Sequence, residues 1–200
     1  MSAATPAPRV PESTRGELRD AVLDAAREVA LASGWRSVRM GALAAQAGVS
    51  RQTLHAEFGT KAQVASDLVH REIAQLLAGI SAALESAPHD PPAAIREAAA
   101  YTLSAMEQNP LLQIVIGGGG DEDLLALLTT RGDWILREAT QVLRDWARRH
   151  LPTLDQERVE QWAEPVVRLT LSHGLTPTRP LPDAVEQLAH VASLLVGLAD

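Results

Sequence analysis

The chain of 200 residues contains no cysteine, and this absence removes several kinds of chemistry at once. Disulfide bonds, thiolate nucleophiles and zinc sites built on cysteine are all excluded. Large rings are scarce as well, since the chain has one phenylalanine, one tyrosine and four tryptophans. No apolar run approaches the roughly 20 residues that a membrane helix needs. We therefore expect a cytoplasmic protein with no membrane span.

The sequence also lacks the spacings of a metal site or a catalytic site. Its six histidines form no HxxxH or HExxH pair, which predicts that no metal is bound. Glu157, Glu160 and Glu164 follow one helix face, a pattern typical of a solvated stripe rather than of an acid–base pair. The four glycines at 117–120 lack the lysine and preceding strand of a phosphate-binding loop and predict a hinge. We expect neither an enzyme nor a bound cofactor.

Helical periodicity covers most of the chain, and no stretch alternates in the manner of a strand. Prolines and glycines mark the boundaries between the segments. Residues 1–13 contain no apolar core and predict a disordered arm. The pattern thus predicts an all-α protein, with helices at about 15–33 and 38–47, between Ser50 and Thr60, and at about 61–84, 93–108, 110–116, 121–150, 155–173 and 181–199.

The segment from Val38 to Lys61 has the pattern of two short helices joined by a tight turn. Gly48 suits the left-handed conformation just past a helix end, and Ser50 can cap the helix that follows. In that second helix Leu54 and Phe58 lie four residues apart and are expected to face inward. The first helix would bury Met40, Leu43, Ala44 and Ala47. The outward face of the second helix would carry Arg51, Gln52, Thr53, His55 and Ala56.

A small, polar and partly basic face suits a helix that enters the major groove of DNA. An αα-hairpin with a solvated face explains each feature taken singly. Together, the residues in the order A-x-x-A-G-V-S-x-x-T-L-x-x-x-F-x-x-K resemble the N-terminal domain of the tetracycline-repressor (TetR) family, over about residues 14–70. The sequence departs from the family pattern at Gly41, His55 and Glu57, so we expect a weaker phosphate contact from His55 and none from Glu57.

The resemblance implies a DNA-binding domain at 14–60 and a ligand-binding and dimerisation bundle at 61–200. Arg51 and Gln52 are the expected contacts to base edges. The expected phosphate contacts are Arg39, Ser50, Thr53, His55 and Lys61. In the resembled family the last two helices form the dimer's four-helix bundle, although burial within one subunit explains some of the same residues. The predicted interface residues are Val159, Val166, Leu169, Val185, Leu188, Ala192 and Leu195.

Charge is segregated along the chain. Residues 1–61 carry eight Lys or Arg and six Asp or Glu, a net charge of +2, whereas the remainder carries ten against nineteen, a net charge of −9. The acidic remainder repels DNA everywhere except at the N-terminal domain. A net charge of +2 on residues 1–61 allows each subunit only a few phosphate contacts. We therefore expect the protein to bind DNA as a dimer.

Pockets for small molecules are mostly apolar with sparse hydrogen-bonding groups, and bundles place them between helices. The side chains best suited to shape such a pocket are Tyr101, Met106, Gln113, Trp134, Trp162 and His173, although core packing also explains each of them. The sequence thus predicts a homodimeric repressor of a palindromic operator on double-stranded DNA, released by a small apolar or amphipathic organic effector. A protein-interaction adaptor with little DNA binding and a helical enzyme remain as alternatives.

Overall fold

The computed structural model describes residues 12–116, 124, 126–127 and 132–198, and all regular structure in these ranges is helical. The all-α prediction is confirmed. The described elements are α1 (Glu12–Ser33), a 3₁₀ turn (Trp35–Ser37), α2 (Met40–Gln46), α3 (Arg51–Phe58), α4 (Lys61–Leu84), α5 (Pro91–Gln108), α6 (Pro110–Ile116), α7 (Asp133–His150), α8 (Gln156–Leu175) and α9 (Leu181–Leu195). Residues 1–11 of the predicted disordered arm and the predicted glycine hinge at 117–120 lie outside the described residues, whereas residues 12 and 13 belong to α1.

The chain divides into two compact units after Leu68, which lies inside α4. We call the part up to Leu68 the head and the part from Val69 onward the body. In the ranges that the structure describes, no helix combines the length and the apolar character needed to cross a bilayer.

The head has one apolar core to which each of its helices contributes. Helix α1 buries one side of its surface, with Val22 and Ala26 at 0% exposure. Gly48 adopts a φ of 68°, the left-handed conformation expected after α2. The burial of apolar side chains stabilises the head. The other large buried side chains of the head are Trp35, Val38, Leu43, Leu54, Phe58, Val64 and Leu68.

The body has a separate core in which two tryptophans pack together. Trp146 of α7 and Trp162 of α8 are each 1% exposed, and their ring centroids lie 6.3 Å apart. Trp146 Nε1 donates to the carbonyl oxygen of Leu84 at 3.0 Å, and Trp162 Nε1 donates to that of Ala192 at 3.0 Å. Both indoles are buried without an unsatisfied donor, so they tie α7 to α4 and α8 to α9.

Candidate DNA-binding surface and ligand cavity

Helix α3 turns one face into the head and the other to solvent. Leu54 and Phe58 are buried at 0% and 2% exposure, as the four-residue spacing predicted. Arg51 and Gln52, in the first turn of α3, are exposed. Side chains at the start of a recognition helix are the ones that reach base edges. The structure therefore presents the two predicted base-contacting residues together on one open surface.

The start of α3 is fixed by its cap. Ser50 Oγ accepts a hydrogen bond from the Thr53 backbone N–H at 3.0 Å and lies 2.9 Å from Thr53 Oγ1. This cap satisfies one of the amides at the helix start and orders the turn that follows α2. The two hydroxyls predicted to hold phosphate thus already belong to one local network.

His55 is held at the other end of the same helix. Its Nδ1 lies 2.7 Å from the Gly59 carbonyl oxygen. Because a carbonyl oxygen can only accept, Nδ1 carries the proton in this bond. Nε2 is then the atom left for an outside partner, and in the neutral ring it accepts rather than donates. A phosphate contact from His55 stays a prediction.

Gly41 of α2 provides the surface on which Arg51 rests. A Cβ atom built at Gly41 would lie less than 3.0 Å from the guanidinium of Arg51. No side chain other than hydrogen leaves room for the guanidinium in this position. Gly41 is one of the residues at which the sequence departs from the family pattern, and the departure leaves room for the Arg51 guanidinium in this position.

Two of the predicted phosphate contacts are engaged within the head. Lys61 Nζ donates to the Trp35 carbonyl oxygen at 2.8 Å and lies 5.4 Å from the centroid of the Trp35 ring. Arg39 donates to the carbonyl oxygen of Val38 at 3.1 Å and to that of Arg36. Both side chains stabilise the 3₁₀ turn in this structure. Their contact with phosphate stays a prediction.

Sequence reasoning missed an ion-pair network centred on Glu57. Arg15 Nη2 and Arg19 Nη1 lie 2.9 Å and 3.0 Å from the Glu57 carboxylate, and Arg19 Nη2 lies 2.6 Å from Asp67. The hydrogen bond from Arg15 holds the pKa of Glu57 below its usual value, Arg19 adds to this shift and burial opposes it. The network joins α1, α3 and α4. No local pattern signals it, because Arg15 and Glu57 are 42 residues apart.

The body contains an apolar cavity of about 140 Å³. Helices α4, α5, α7 and α8 supply most of its wall, and the predicted pocket residues Met106 and Trp162 belong to it. The apolar side chains that line it include Ile73, Leu76, Leu77, Ile80, Ile95, Ile135, Leu143, Val166, Leu171 and Leu188. Apolar cavities of similar size in other proteins stay dry and bind small apolar molecules.

The polar groups at this cavity are already satisfied by the protein. Thr102 donates to the Ala98 carbonyl oxygen at 2.6 Å, and Thr170 donates to that of Val166 at 2.8 Å. The indole N–H of Trp162 is taken by Ala192. Among the described lining residues, therefore, no side-chain donor is left over for a ligand in this cavity.

The other predicted ligand residues lie elsewhere. Gln113 and His173 line a second cavity, of about 200 Å³, at the α5, α6 and α8 side of the body. Tyr101 lies over Gly79 of α4 and is 38% exposed. Trp134 stacks on His70 with the ring centroids 4.0 Å apart. The structure divides the six residues between two cavities and two sites outside them.

Most of the predicted interface residues belong to the core of one chain. Five of them are between 0% and 8% exposed, because α8 and α9 pack against α5 in the same body. The alternative explanation, burial within one subunit, applies to these five residues, which are Val159, Val166, Val185, Leu188 and Ala192. Leu169 is half-buried, and Leu195 is 48% exposed beside Leu194 at 47%. Leu194 and Leu195 therefore form an exposed apolar surface on α9.

Comparisons with known proteins agree with this arrangement. The family model described as the C-terminal domain of the bacterial tetracyclin repressor matches residues 90–193, more than half of the chain. The model for bacterial regulatory proteins of the tetR family matches residues 22–68. The chain belongs to the TetR family. It is thus a DNA-binding transcriptional regulator with a helix-turn-helix, in a family of regulators rather than enzymes.

Relatives of this TetR-family chain include proteins named AlkX. The HTH-type transcriptional regulator AlkX of Mycobacterium tuberculosis is 29% identical over 189 residues, which cover 93% of this chain and 89% of the relative. The fold is similar to that of the TetR-family repressor AlkX from Dietzia sp. strain DQ12-45-1b, implicated in biodegradation of n-alkanes, with a TM-score of 0.71, 24% identity and coverage of 88% and 94%. A TetR-family regulator from Pectobacterium atrosepticum gives a TM-score of 0.69 at 19% identity, with coverage of 95% and 98%.

Proposed function

We propose that this regulator binds a palindromic operator as a homodimer in the cytoplasm and represses transcription until a small apolar molecule occupies the cavity of the body. The observation that carries the proposal is the 140 Å³ apolar cavity, which occurs in a chain whose helix-turn-helix exposes Arg51 and Gln52. This combination supports the proposal that one polypeptide both reads DNA and receives an effector.

On the DNA side, Gln52 and Arg51 contact base edges in the major groove. Ser50, Thr53, His55, Lys61 and Arg39 lie around them as candidates for phosphate contacts, which set the register on the duplex without reading sequence. Two heads in a symmetric dimer meet two half-sites whose centres are about 34–36 Å apart or a multiple of that distance. This geometry favours a palindrome.

The dimer forms through the outer faces of α8 and α9. Leu194 and Leu195 are exposed on α9 and are followed by the half-buried Leu198, while Leu169 is half-buried on α8. Large apolar side chains that are exposed next to each other favour an interaction surface, since their burial is favourable. A second copy of the chain would cover them.

The effector is apolar because the cavity offers only apolar contacts from its described lining. The name AlkX and the n-alkane context of the Dietzia repressor agree with a hydrocarbon-like molecule. Five cavity residues belong to α4, namely Ile73, Leu76, Leu77, Ile80 and Leu84, and the same helix begins in the head at Lys61. Ligand contacts with these residues therefore act directly on a helix that the head shares, which supports release of DNA on binding.

The test is selection of bound sequences from a random duplex pool by the purified protein at several salt concentrations. We expect a palindrome to be enriched, and straight-chain alkanes to release the protein from it. Enrichment of a single half-site would contradict the dimer, and enrichment without release by any apolar compound would contradict the effector. No enrichment at low salt from a folded protein would favour the adaptor.

A variant pair tests the dimer face. Leu194→Glu places a charge on the exposed part of α9 and should lower the apparent mass in solution to that of a monomer and weaken binding to the palindrome. Gln108→Glu adds the same charge at an exposed position at the end of α5 and should leave both unchanged. A dimer that survives Leu194→Glu would place the interface elsewhere.

A further inference from the structure

The helices that enclose the apolar cavity of the body lie side by side. At one end, the indole of Trp146 on α7 donates to Leu84, the last residue of α4, and its ring centroid lies 6.3 Å from that of Trp162 on α8. At the other end, Asn109, the residue after α5, donates to Glu72 of α4 at 3.1 Å. These contacts align the neighbouring helices with α4 at both ends of the cavity.

The lining of the cavity follows these helices over most of their shared length. On α4 the lining residues lie within 73–84, on α5 within 95–106 and on α8 within 162–175. At a rise of ~1.5 Å per residue, the stretches on α4 and α5 are each about 16 Å long. The cavity is therefore elongated along the helix axes.

The cavity is narrow for its length, because its volume is only about 140 Å³. A compact void of about 150 Å³ in another protein holds one benzene ring. An extended saturated chain advances about 1.25 Å per carbon and adds about 2 Å at each end, so that about eight to ten carbons occupy about 13–15 Å. One such chain matches the length and the width of the cavity, whereas a fused ring system with as many carbons is too wide.

The two ends of the cavity differ in rigidity. Trp162 is 1% exposed, and its indole is fixed by the hydrogen bond to Ala192. Met106, near the other end, is unbranched and has three rotatable bonds, so its side chain adapts more easily. Its Sδ and Cε lie against Gly174 of α8, where a Cβ atom would overlap them. The absence of a side chain at Gly174 therefore provides the space in which the tip of Met106 lies.

We propose that the effector binds as one extended, unbranched chain of about eight to ten carbons that lies along α4, and that Met106, held against Gly174, sets the upper limit of chain length. The inference rests on the proposed function, because it takes the apolar cavity as the effector site. It adds the shape of the ligand, its length and a residue that determines specificity.

The experiment measures the binding of n-alkanes from hexane to hexadecane to the full chain without DNA. Equilibrium dialysis followed by gas chromatography of the bound alkane gives each dissociation constant. Affinity should rise about fourfold for each added methylene, as its burial predicts, reach a maximum at about eight to ten carbons and then fall. Affinity that keeps rising to hexadecane would overturn the length limit.

A ring compound with the same number of carbons tests the shape of the cavity. Decahydronaphthalene should bind at least about tenfold more weakly than decane, because its two fused rings overfill the narrow space. Equal affinity for the two compounds would overturn the proposal that the ligand binds as an extended chain.

Two variants test the role of Met106, and their readout is the chain length that binds most tightly. Met106→Ala removes three heavy atoms and should move this optimum up by about two carbons. Gly174→Ala should push the tip of Met106 into the cavity and move the optimum down by about two carbons.

The matched control is Gly16→Ala on α1, where the added Cβ has no neighbouring atom within 4 Å. It should leave the optimum unchanged. An optimum that is the same in the wild type, Met106→Ala and Gly174→Ala would overturn the role of Met106. The wild-type ligand series decides the shape and the length of the ligand even if a variant fails to fold.

Release of operator DNA separates this inference from the proposed function. If chains of the expected length bind most tightly but release no DNA, the shape of the site stands and the regulatory role fails. If rings and chains of every length release DNA equally, the regulatory role stands and the inferred shape and length limit fail.

Discussion

The head and the body are both helical units with buried apolar faces, but their functional groups lie in different places. In the head, Leu54 and Phe58 are buried in the core, and the residues that we expect to meet DNA are exposed on the surface of α3. In the body, α4, α5, α7 and α8 leave about 140 Å³ unfilled. The head therefore carries its candidate DNA-contacting residues outside a buried core, whereas the body leaves a cavity in which we propose that a ligand binds. Substitutions that change volume should affect the two units in opposite ways.

The largest effect is expected from removing volume in the head. Leu54→Ala should lower the free energy of unfolding of the head by about 2–5 kcal/mol, because the site is 0% exposed and its surroundings relax only partly. Thermal unfolding followed by circular dichroism measures the loss, and operator binding should fall with it. The exposed Ala45→Ser in α2 is the control. Loss of ligand binding by the body in Leu54→Ala would show that the two units do not unfold separately.

A surface change in the head should affect DNA binding alone. Gln52→Ala should cost about 1–3 kcal/mol of discrimination at one base pair of the operator and leave stability unchanged, since the side chain is exposed. Competition binding with single-base operator variants measures it. The control is Gln46→Ala, on α2, where the amide is bonded to Glu28. A uniform loss across all operator variants would assign Gln52 to phosphate instead of a base.

Adding side-chain volume at the cavity of the body should raise stability, whereas removing volume from the core of the head should lower it. Ala98→Leu points the larger side chain at the cavity and should raise stability by about 0.5–2 kcal/mol, as cavity filling commonly does, while it weakens binding of apolar ligands. The same change at Ala147, which is 0% exposed and lies outside the cavity lining, should overpack the core and cost about 1–3 kcal/mol. Melting curves with and without ligand compare the two. Destabilisation by both would mean that the void cannot accept a side chain.

The smallest effect concerns the ion pairs of the head. Glu57→Gln should cost about 1 kcal/mol at neutral pH, a modest value because Arg15 and Arg19 are 57% and 38% exposed and so are screened by water. The pKa of Glu57 is lowered in the folded chain. Its stabilisation is therefore present above the unfolded pKa and is lost as the pH falls through the folded pKa.

A pH titration of stability checks this sign. Wild-type stability should fall more steeply on acidification than that of Glu57→Gln, and the two should converge at low pH. Glu17→Gln removes an exposed carboxylate from α1 and should keep the wild-type slope. Identical slopes for the wild type and Glu57→Gln would remove Glu57 from the acid response.

Local patterns in the sequence determined the helices, the turn and the reading face. Periodicity gave the ends of α4 at Lys61 and Leu84 and the inward positions of Leu54 and Phe58, because one helix face must be apolar to be buried. Gly48 and Ser50 marked the turn, because few other residues satisfy the backbone there. These features depend on residues within a few positions of one another.

Only the tertiary structure decided the contacts between residues that are distant in sequence. The partners of Glu57 are 38 and 42 residues away, and no local pattern can report such a pairing. The cavity is a space between four helices that pack together only in the folded chain. The sequence can therefore predict which types of residue line a cavity, but not which residues do. Periodicity likewise marked Val166 and Leu188 as apolar, but it could not assign them to the core of one chain rather than to a dimer interface, because burial looks the same in sequence whichever chain provides it.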